Sequence, residues 1–139
     1  MIKTISISDE NKKFAEELKE ANLLGFNGLD NKDIFLFMVA LGINEPTAEA
    51  NYKGVSGGWF RTETLENDDE SNHLYYLLTM GVANEEEIEK YVDLETNYIK
   101  AQYYADAGFK MLKQIYNEER GNIEAIERRL LSILEIRKQ

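Results

Sequence analysis

The alternation of apolar and polar positions at the start of the chain predicts a short strand followed by a helix. Residues 2–7 carry β-branched side chains at roughly every second position, a pattern typical of a strand. From Ser8, a good N-cap residue, the apolar spacing becomes helical, which predicts a helix over residues 9–23. The inner face of this helix is expected to carry Phe14, Leu18 and Ala21.

A second helix is predicted over residues 32–41, where an uninterrupted apolar run follows the capping candidates Asp30 and Asn31. Such a run also fits a buried strand, but the capping residues before it and Gly42 after it favour a helix. A helix that is apolar on all sides lies in the centre of a fold. We therefore expect four side chains of this helix to be buried, namely Phe35, Leu36, Met38 and Val39.

Residues 43–58 hold the single proline and three glycines, and they are predicted to form a loop. The alternating side chains that follow predict a strand over residues 59–65, for which residues 2–7 are the obvious pairing partner. A further helix is expected over residues 70–80, ending at Gly81.

The C-terminal half of the chain predicts a long helix over residues 85–119 and a last helix that begins after Gly121 and Asn122. A Gly-Asn turn between two helices of matching apolar spacing is typical of an antiparallel αα-hairpin. Along the long helix, apolar or small residues recur every three or four positions and form a stripe. The stripe consists of Tyr91, Leu94, Tyr98, Ala101, Ala105, Gly108, Leu112 and Ile115.

The stripe is longer than the last helix can cover, so it needs a second cover. Two covers are open: the helices within residues 9–41, or a second copy of the chain. Two copies that pair through the small residues would satisfy both stripes about one two-fold axis, and we expect a homodimer. The protein interface predicted on this basis consists of Tyr91, Leu94, Tyr98, Ala101, Tyr104, Ala105 and Gly108.

Together these elements predict a mainly α fold with a minor β ribbon, a helical domain that ends in a long antiparallel αα-hairpin. With 139 residues, 43% of them hydrophobic, the chain fits a single domain over 1–139 with a sizeable core. Residues 1–65 would form a strand-helix-helix-strand part, and residues 66–139 the acidic helix and the hairpin. The sequence has no bilayer-spanning apolar run and no signal-peptide pattern, so we expect a cytoplasmic protein with no membrane contact.

The residue types that catalysis or metal binding needs are scarce in this sequence. Cysteine is absent and His73 is the single histidine, which excludes thiolate zinc sites, a cysteine nucleophile and a multi-histidine zinc site within one chain. Phosphate-binding glycine loops, nucleophile elbows and EF-hand loops are also absent from the sequence. We therefore expect no enzymatic activity, no catalytic or metal-binding residues and no cofactor.

The net charge of −10 is concentrated in residues 62–99, which we name the acidic block. It holds eleven acids and a single base, Lys90. A field of one sign attracts partners of the opposite sign and repels phosphate backbones. The block is thus either a docking surface for a protein with a basic surface or a solvated face whose acids favour helix N-termini. The acidic surface predicted here consists of Glu66, Asp68, Asp69, Glu70, Glu85, Glu86 and Glu89.

The segment from Lys3 to Ser8, followed by a helix, a glycine-rich turn and a second helix, resembles one half of a ribbon-helix-helix repressor. In that family the strand pairs with the strand of a dimer mate, and its outward residues enter the DNA major groove. The resemblance implies these outward positions for Lys3, Thr4 and Ser6, and with them a DNA-binding regulator.

Residues 31–42, Asn-Lys-Asp-Ile-Phe-Leu-Phe-Met-Val-Ala-Leu-Gly, are similar to a signature of small accessory proteins in DNA-phosphorothioation (Dnd-type) and related anti-phage defence islands. A loop and a tryptophan-containing strand, residues 57–63, follow in a comparable place. The resemblance implies an accessory or regulatory subunit that works by protein–protein contact in a prokaryotic defence system. It brings no catalytic residues with it.

Three hypotheses of function follow from these observations. The first is the non-enzymatic accessory subunit of an anti-phage defence system. The second is a phage-encoded, acidic, DNA-mimic-like inhibitor that uses residues 62–95 to occupy a nucleic-acid groove. The third is the ribbon-helix-helix-like regulator.

We expect no measurable binding to duplex DNA at physiological salt. The chain as a whole has a net charge of −10, and residues 1–61, which include the ribbon-helix-helix resemblance, are themselves net −2. Binding to a phosphate backbone needs a basic footprint. Gel retardation of a labelled duplex by micromolar protein checks this, and salt-sensitive retention would contradict it and favour the third hypothesis.

Overall fold

The computed structural model describes residues 3–54, 57–66 and 94–138 and shows a mainly helical protein with a small antiparallel sheet. The predicted fold class is confirmed. The expected helix over 70–80 and the first part of the one over 85–119 lie outside the described residues. In chain order, the elements are β1 (Thr4–Ser6), α1 (Asp9–Glu20), a 3₁₀ segment (Leu23–Gly28), α2 (Asn31–Gly42), α3 (Ala48–Asn51), β2 (Gly58–Arg61), α4 (Glu63–Glu66), α5 (Leu94–Glu118) and α6 (Ile123–Lys138).

β1 and β2 pair in antiparallel fashion, as the sequence predicted, with Ile5 opposite Phe60. The prediction of a strand up to residue 65 was wrong, because β2 ends at Arg61. The Thr62 N–H donates to the Lys3 carbonyl at 2.9 Å, and the Leu65 N–H already donates back to the Thr62 carbonyl. The chain therefore turns into α4 immediately after the ribbon, which brings the Leu65 side chain into the core.

α1 begins where its cap predicts, since the Ser8 hydroxyl accepts a hydrogen bond from the Asn11 N–H at 3.0 Å. It ends at Glu20, three residues earlier than expected, and Ala21 is exposed rather than inward-facing. The chain leaves the helix through Asn22 and Leu24, which both adopt left-handed φ angles, 53° and 48°. The 3₁₀ segment formed by this path carries Leu23 and Phe26 into the core.

α2 confirms the predicted central helix. The Asp30 and Asp33 side chains form a capping box at its start. Phe35, Met38 and Val39 are fully buried, and Leu36 is half-buried and packs against the same core. Gly42, expected just after the end of the helix, is its last residue.

The role of Gly42 is to let α2 approach α5. A methyl group at Gly42 would overlap the Tyr104 carbonyl oxygen, and one at Gly108 would overlap the Met38 carbonyl oxygen. The two backbones therefore touch where neither residue has a side chain. α2 lies along the stripe of α5 and is its principal neighbour, so the cover of the stripe is a helix from residues 9–41, the first of the two alternatives.

A turn at Arg120 and Gly121, both with positive φ, joins α5 to α6 and completes the C-terminal helix pair. α6 buries Ile126 and Leu130 and contacts both α5 and the 3₁₀ segment. An Arg129 guanidinium N–H donates to the Glu118 carboxylate at 2.7 Å across the turn. The sequence predicted that α5 and α6 pack through matching stripes. α5 does contact α6, but it packs chiefly on α2.

We expect Gly108→Ala to destabilise the protein by about 1–3 kcal/mol, the usual cost of overfilling a packed site. The added methyl would overlap the Met38 backbone, which cannot rotate away as a side chain can. The matched control is Gly28→Ala, because nothing lies within 4 Å of a methyl group there. Urea unfolding measures both variants, and equal free energies of unfolding would contradict the close approach of α2 and α5.

Candidate functional site

The residues predicted to form a protein interface are largely core residues of a single chain. Tyr98, Ala101, Ala105 and Gly108 are buried beneath α2 and its neighbours, and Tyr104 is half-buried against the same core. A second copy cannot reach the buried four without displacing α2, so the part of the interface that rests on them was wrong. The sequence pattern correctly found a packing stripe but assigned it the wrong partner. Tyr91 and the side chain of Leu94 lie outside the described residues.

The predicted acidic surface also lies mostly outside the described residues. Glu66 ends α4, and the other six acids, Asp68 to Glu89, fall within residues 67–93. The residues that flank this part of the acidic block are firmly packed, since Leu65 before it and Tyr98 after it are both fully buried.

The strand that resembles the DNA-reading ribbon of ribbon-helix-helix proteins is paired within its own chain. Thr4 and Ile5 of β1 lie opposite Arg61 and Phe60 of β2. The Ser6 N–H donates to the Gln102 side-chain oxygen of α5 at 2.9 Å. β1 thus takes its hydrogen-bonding partners from β2 and α5, rather than from the dimer mate that the resemblance implies.

A polar groove, which the sequence analysis did not anticipate, lies between α1, residues 45–54 and α5. It consists of two adjoining cavities of about 340 and 210 Å³ that share Asn51, Asp106 and Lys110. The larger cavity is also lined by charged and polar residues, among them Glu10, Asn11, Tyr52, Lys53 and Lys113. The smaller cavity has more apolar walls, with Ala48, Ala107 and Met111 beside Thr47 and Gln114.

Asn11 is the fixed centre of the larger cavity. It is 3% exposed, and its amide group donates to the Asp106 carboxylate at 3.2 Å. Its amide oxygen accepts from the Lys113 ammonium at 2.5 Å. One buried side chain thus links α1 to two positions of α5, and both of its polar ends are satisfied, as a buried amide requires.

A signal for Asn11 was present in the sequence. It lies three and four positions before Phe14 and Ala15, on the same helical face as these buried residues. A polar residue on an apolar helix face indicates a polar partner across the interface. The partners are 95 and 102 residues away, so no local pattern could identify them.

The cations of the groove are balanced by neighbouring acids. The Lys110 ammonium lies 3.3 Å from the Asp106 carboxylate and 3.4 Å from the Asn51 carbonyl oxygen. The Lys113 ammonium lies 3.5 Å from Glu10 and 5.8 Å from the centroid of the Phe14 ring, within the range of a cation–π contact. These pairs fix α1, α3 and α5 around the groove.

Tyr52 forms one wall of the groove and packs on Tyr103, with ring centroids 4.8 Å apart. Burial raises the pKa of the Tyr52 hydroxyl above its usual value of 10.0, and the Asp106 carboxylate adds to the effect because it disfavours a nearby phenolate. The hydroxyl therefore stays protonated and serves as a hydrogen-bond donor.

Further chemistry is limited in the part of the chain that the structure describes. Across residues 3–54, 57–66 and 94–138, no three histidine or acidic side chains gather as a metal site would require. Among the same residues, no helix combines the length and the apolar character needed to cross a bilayer. Comparisons with protein-family models, with curated proteins and with solved structures found no match.

We expect Asn11→Ala to lower the free energy of unfolding by about 1–3 kcal/mol, because it leaves the Asp106 carboxylate and the Lys113 ammonium without their buried partner. Lys13→Ala, an exposed substitution on the same helix, is the control and should change stability by less than about 0.5 kcal/mol. Denaturant unfolding followed by circular dichroism measures both. If Asn11→Ala unfolds at the same midpoint as the control, the link between α1 and α5 does not stabilise the fold.

Proposed function

We propose that the protein is a non-enzymatic accessory or regulatory subunit that acts by binding a protein partner in a prokaryotic anti-phage defence system. Its acidic block is the docking element, and the partner presents a basic surface. The observation that carries the proposal is the concentration of negative charge on one segment of the chain.

The charge is unequally divided. Residues 67–93 carry eight acids and one lysine, a net charge of −7 in 27 residues. The residues that the structure describes carry a net −3, and many of their charges are already paired in ion pairs such as Lys110–Asp106. A charge of one sign concentrated on one segment accelerates the encounter with an oppositely charged partner and repels molecules of like charge.

Within the acidic block, the described residues Leu65 and Tyr98 are fully buried in the core. They lie on either side of residues 67–93 in the sequence, the segment that holds the concentrated charge.

The defence setting rests on the similarity of residues 31–42 to the signature of Dnd-type accessory proteins. These residues form α2, the central helix of the described fold. A signature that this chain shares with those proteins in a central helix is consistent with a shared scaffold. It contains no catalytic group. In this setting the protein works in the cytoplasm.

The test compares two variants that each lose six negative charges. In the block variant, the changes are Asp68→Asn, Asp69→Asn, Glu70→Gln, Glu85→Gln, Glu86→Gln and Glu89→Gln. In the control variant, six exposed acids outside the block lose their charge, through Asp9→Asn and through glutamine in place of Glu16, Glu17, Glu20, Glu49 and Glu124.

The partner is first captured from a lysate of the source organism on the tagged wild-type chain and then purified for binding measurements. We expect the block variant to bind it at least about tenfold more weakly, since several exposed charge pairs of about 0.2–1 kcal/mol each are lost together. The control variant should bind like wild type. Equal affinity of both variants, or failure to retain any protein, would refute the proposal. A captured nuclease or DNA-binding protein whose DNA is displaced by this chain would favour the acidic-inhibitor alternative.

A further inference from the structure

In a strongly acidic protein, the groove between α1, residues 45–54 and α5 has one cavity with more cationic than anionic side chains. Its larger cavity is lined by three lysines, Lys53, Lys110 and Lys113, against two carboxylates, Glu10 and Asp106. The local balance is therefore net positive, whereas the whole chain carries −10. A negatively charged molecule that approaches this protein is favoured here over the surfaces with excess acid.

The ammonium groups retain donors beyond those that the fold uses. An ammonium group has three N–H donors. The Lys113 ammonium contacts Asn11 and Glu10, and the Lys110 ammonium contacts Asp106 and the Asn51 carbonyl oxygen. Each of the two thus keeps one donor for a further acceptor.

The position of these donors is fixed before any ligand binds. Asn11 is 97% buried and holds the Lys113 ammonium at 2.5 Å, while Asp106 holds Lys110 at 3.3 Å. The Tyr52 hydroxyl, on the same wall, adds a neutral donor. Donors that are already in place make a ligand lose less free energy to reorganisation on binding.

The adjoining smaller cavity has one apolar side, formed by Ala48, Ala107 and Met111. It meets the larger cavity at Asn51, Asp106 and Lys110, and Glu45, Thr47 and Gln114 complete its walls. A cationic compartment beside an apolar one matches a molecule with a charged head and a short hydrocarbon part. The cavity of about 340 Å³ lies at the small end of the range of ligand pockets, about 300–1,000 Å³.

We propose that this groove binds a small organic anion, a carboxylate or a phosphate monoester with a short apolar chain. Lys53, Lys110 and Lys113 receive the anionic head, and the Ala107–Met111 side receives the chain. Asn11 and Asp106, which also line the larger cavity, position the lysines. This site is separate from the acidic block and does not depend on the protein-binding function.

The test is a titration of the full chain followed by amide chemical shifts in NMR, at constant ionic strength. The probes are butyrate, butyl phosphate, inorganic phosphate and the neutral analogue butyramide. We expect saturable shifts near Asn51, Lys53 and Lys110 with butyrate or butyl phosphate. The probe that binds more tightly of these two identifies the preferred anionic head group. Inorganic phosphate should bind more weakly, and butyramide should give no saturable shift.

Substitutions distinguish binding of the probe at this site from nonspecific attraction of the probe to any lysine. Lys53→Gln and Lys110→Gln should each weaken binding of the tighter probe by about two- to fivefold, the effect of one partly exposed charge pair. Lys13→Gln, which removes an exposed lysine outside the groove, should leave the affinity unchanged. The proposal is overturned by an absence of saturable shifts, by equal binding of butyramide, or by equal affinities of the three variants. Inorganic phosphate that binds as tightly as butyl phosphate would overturn the apolar part of the site.

Discussion

The contact between Gly42 of α2 and Gly108 of α5 determines how closely the two central helices pack, and the rest of the fold is arranged around this pair. At each position a single methyl group would collide with a backbone carbonyl of the other helix. Ala101 and Ala105 keep the stripe of α5 shallow beneath α2. Because the two backbones are in direct contact at these glycines, the larger side chains before and after the glycines fill the remaining space between the helices. The ribbon, α1 and the 3₁₀ segment then pack onto the surface of this pair.

The parts of the fold that follow from the sequence are those determined by residues close together in the chain. Ser8 caps α1 through a residue three positions later, and Asp30 and Asp33 cap α2 in the same way. Each interaction is complete within one helical turn, so the sequence pattern contains all of it. The stripe of α5 was equally visible, but periodicity records that a face is buried and not what buries it. A second copy and α2 satisfy the same pattern, and in the structure Ala101 and Ala105 are buried within one chain and the α2 backbone lies against Gly108.

The features that the sequence could not indicate depend on contacts between distant residues. Gly42 looks like a helix stop from its neighbours, and its function as a contact point depends on Gly108, far along the chain. β2 ends at Arg61 because Thr62 closes the ribbon on Lys3. The polar groove depends on Asn11 of α1 meeting Asp106 and Lys113 of α5. In each case the sequence around one partner gives only a weak indication of its role. The contact forms only when folding brings the two partners together.

The division of charge along the chain separates the forces that fold the protein from those available for binding. Apolar packing around the two glycines and paired charges such as Arg129 with Glu118 hold the described body together. Residues 67–93 hold a net −7, and like charges so close together repel one another. A partner with a basic surface would relieve this repulsion on binding, and the gain would shrink as salt screens the charges. If the protein binds such a partner, as we propose, the cost of concentrating charge in the free chain becomes part of the driving force for association.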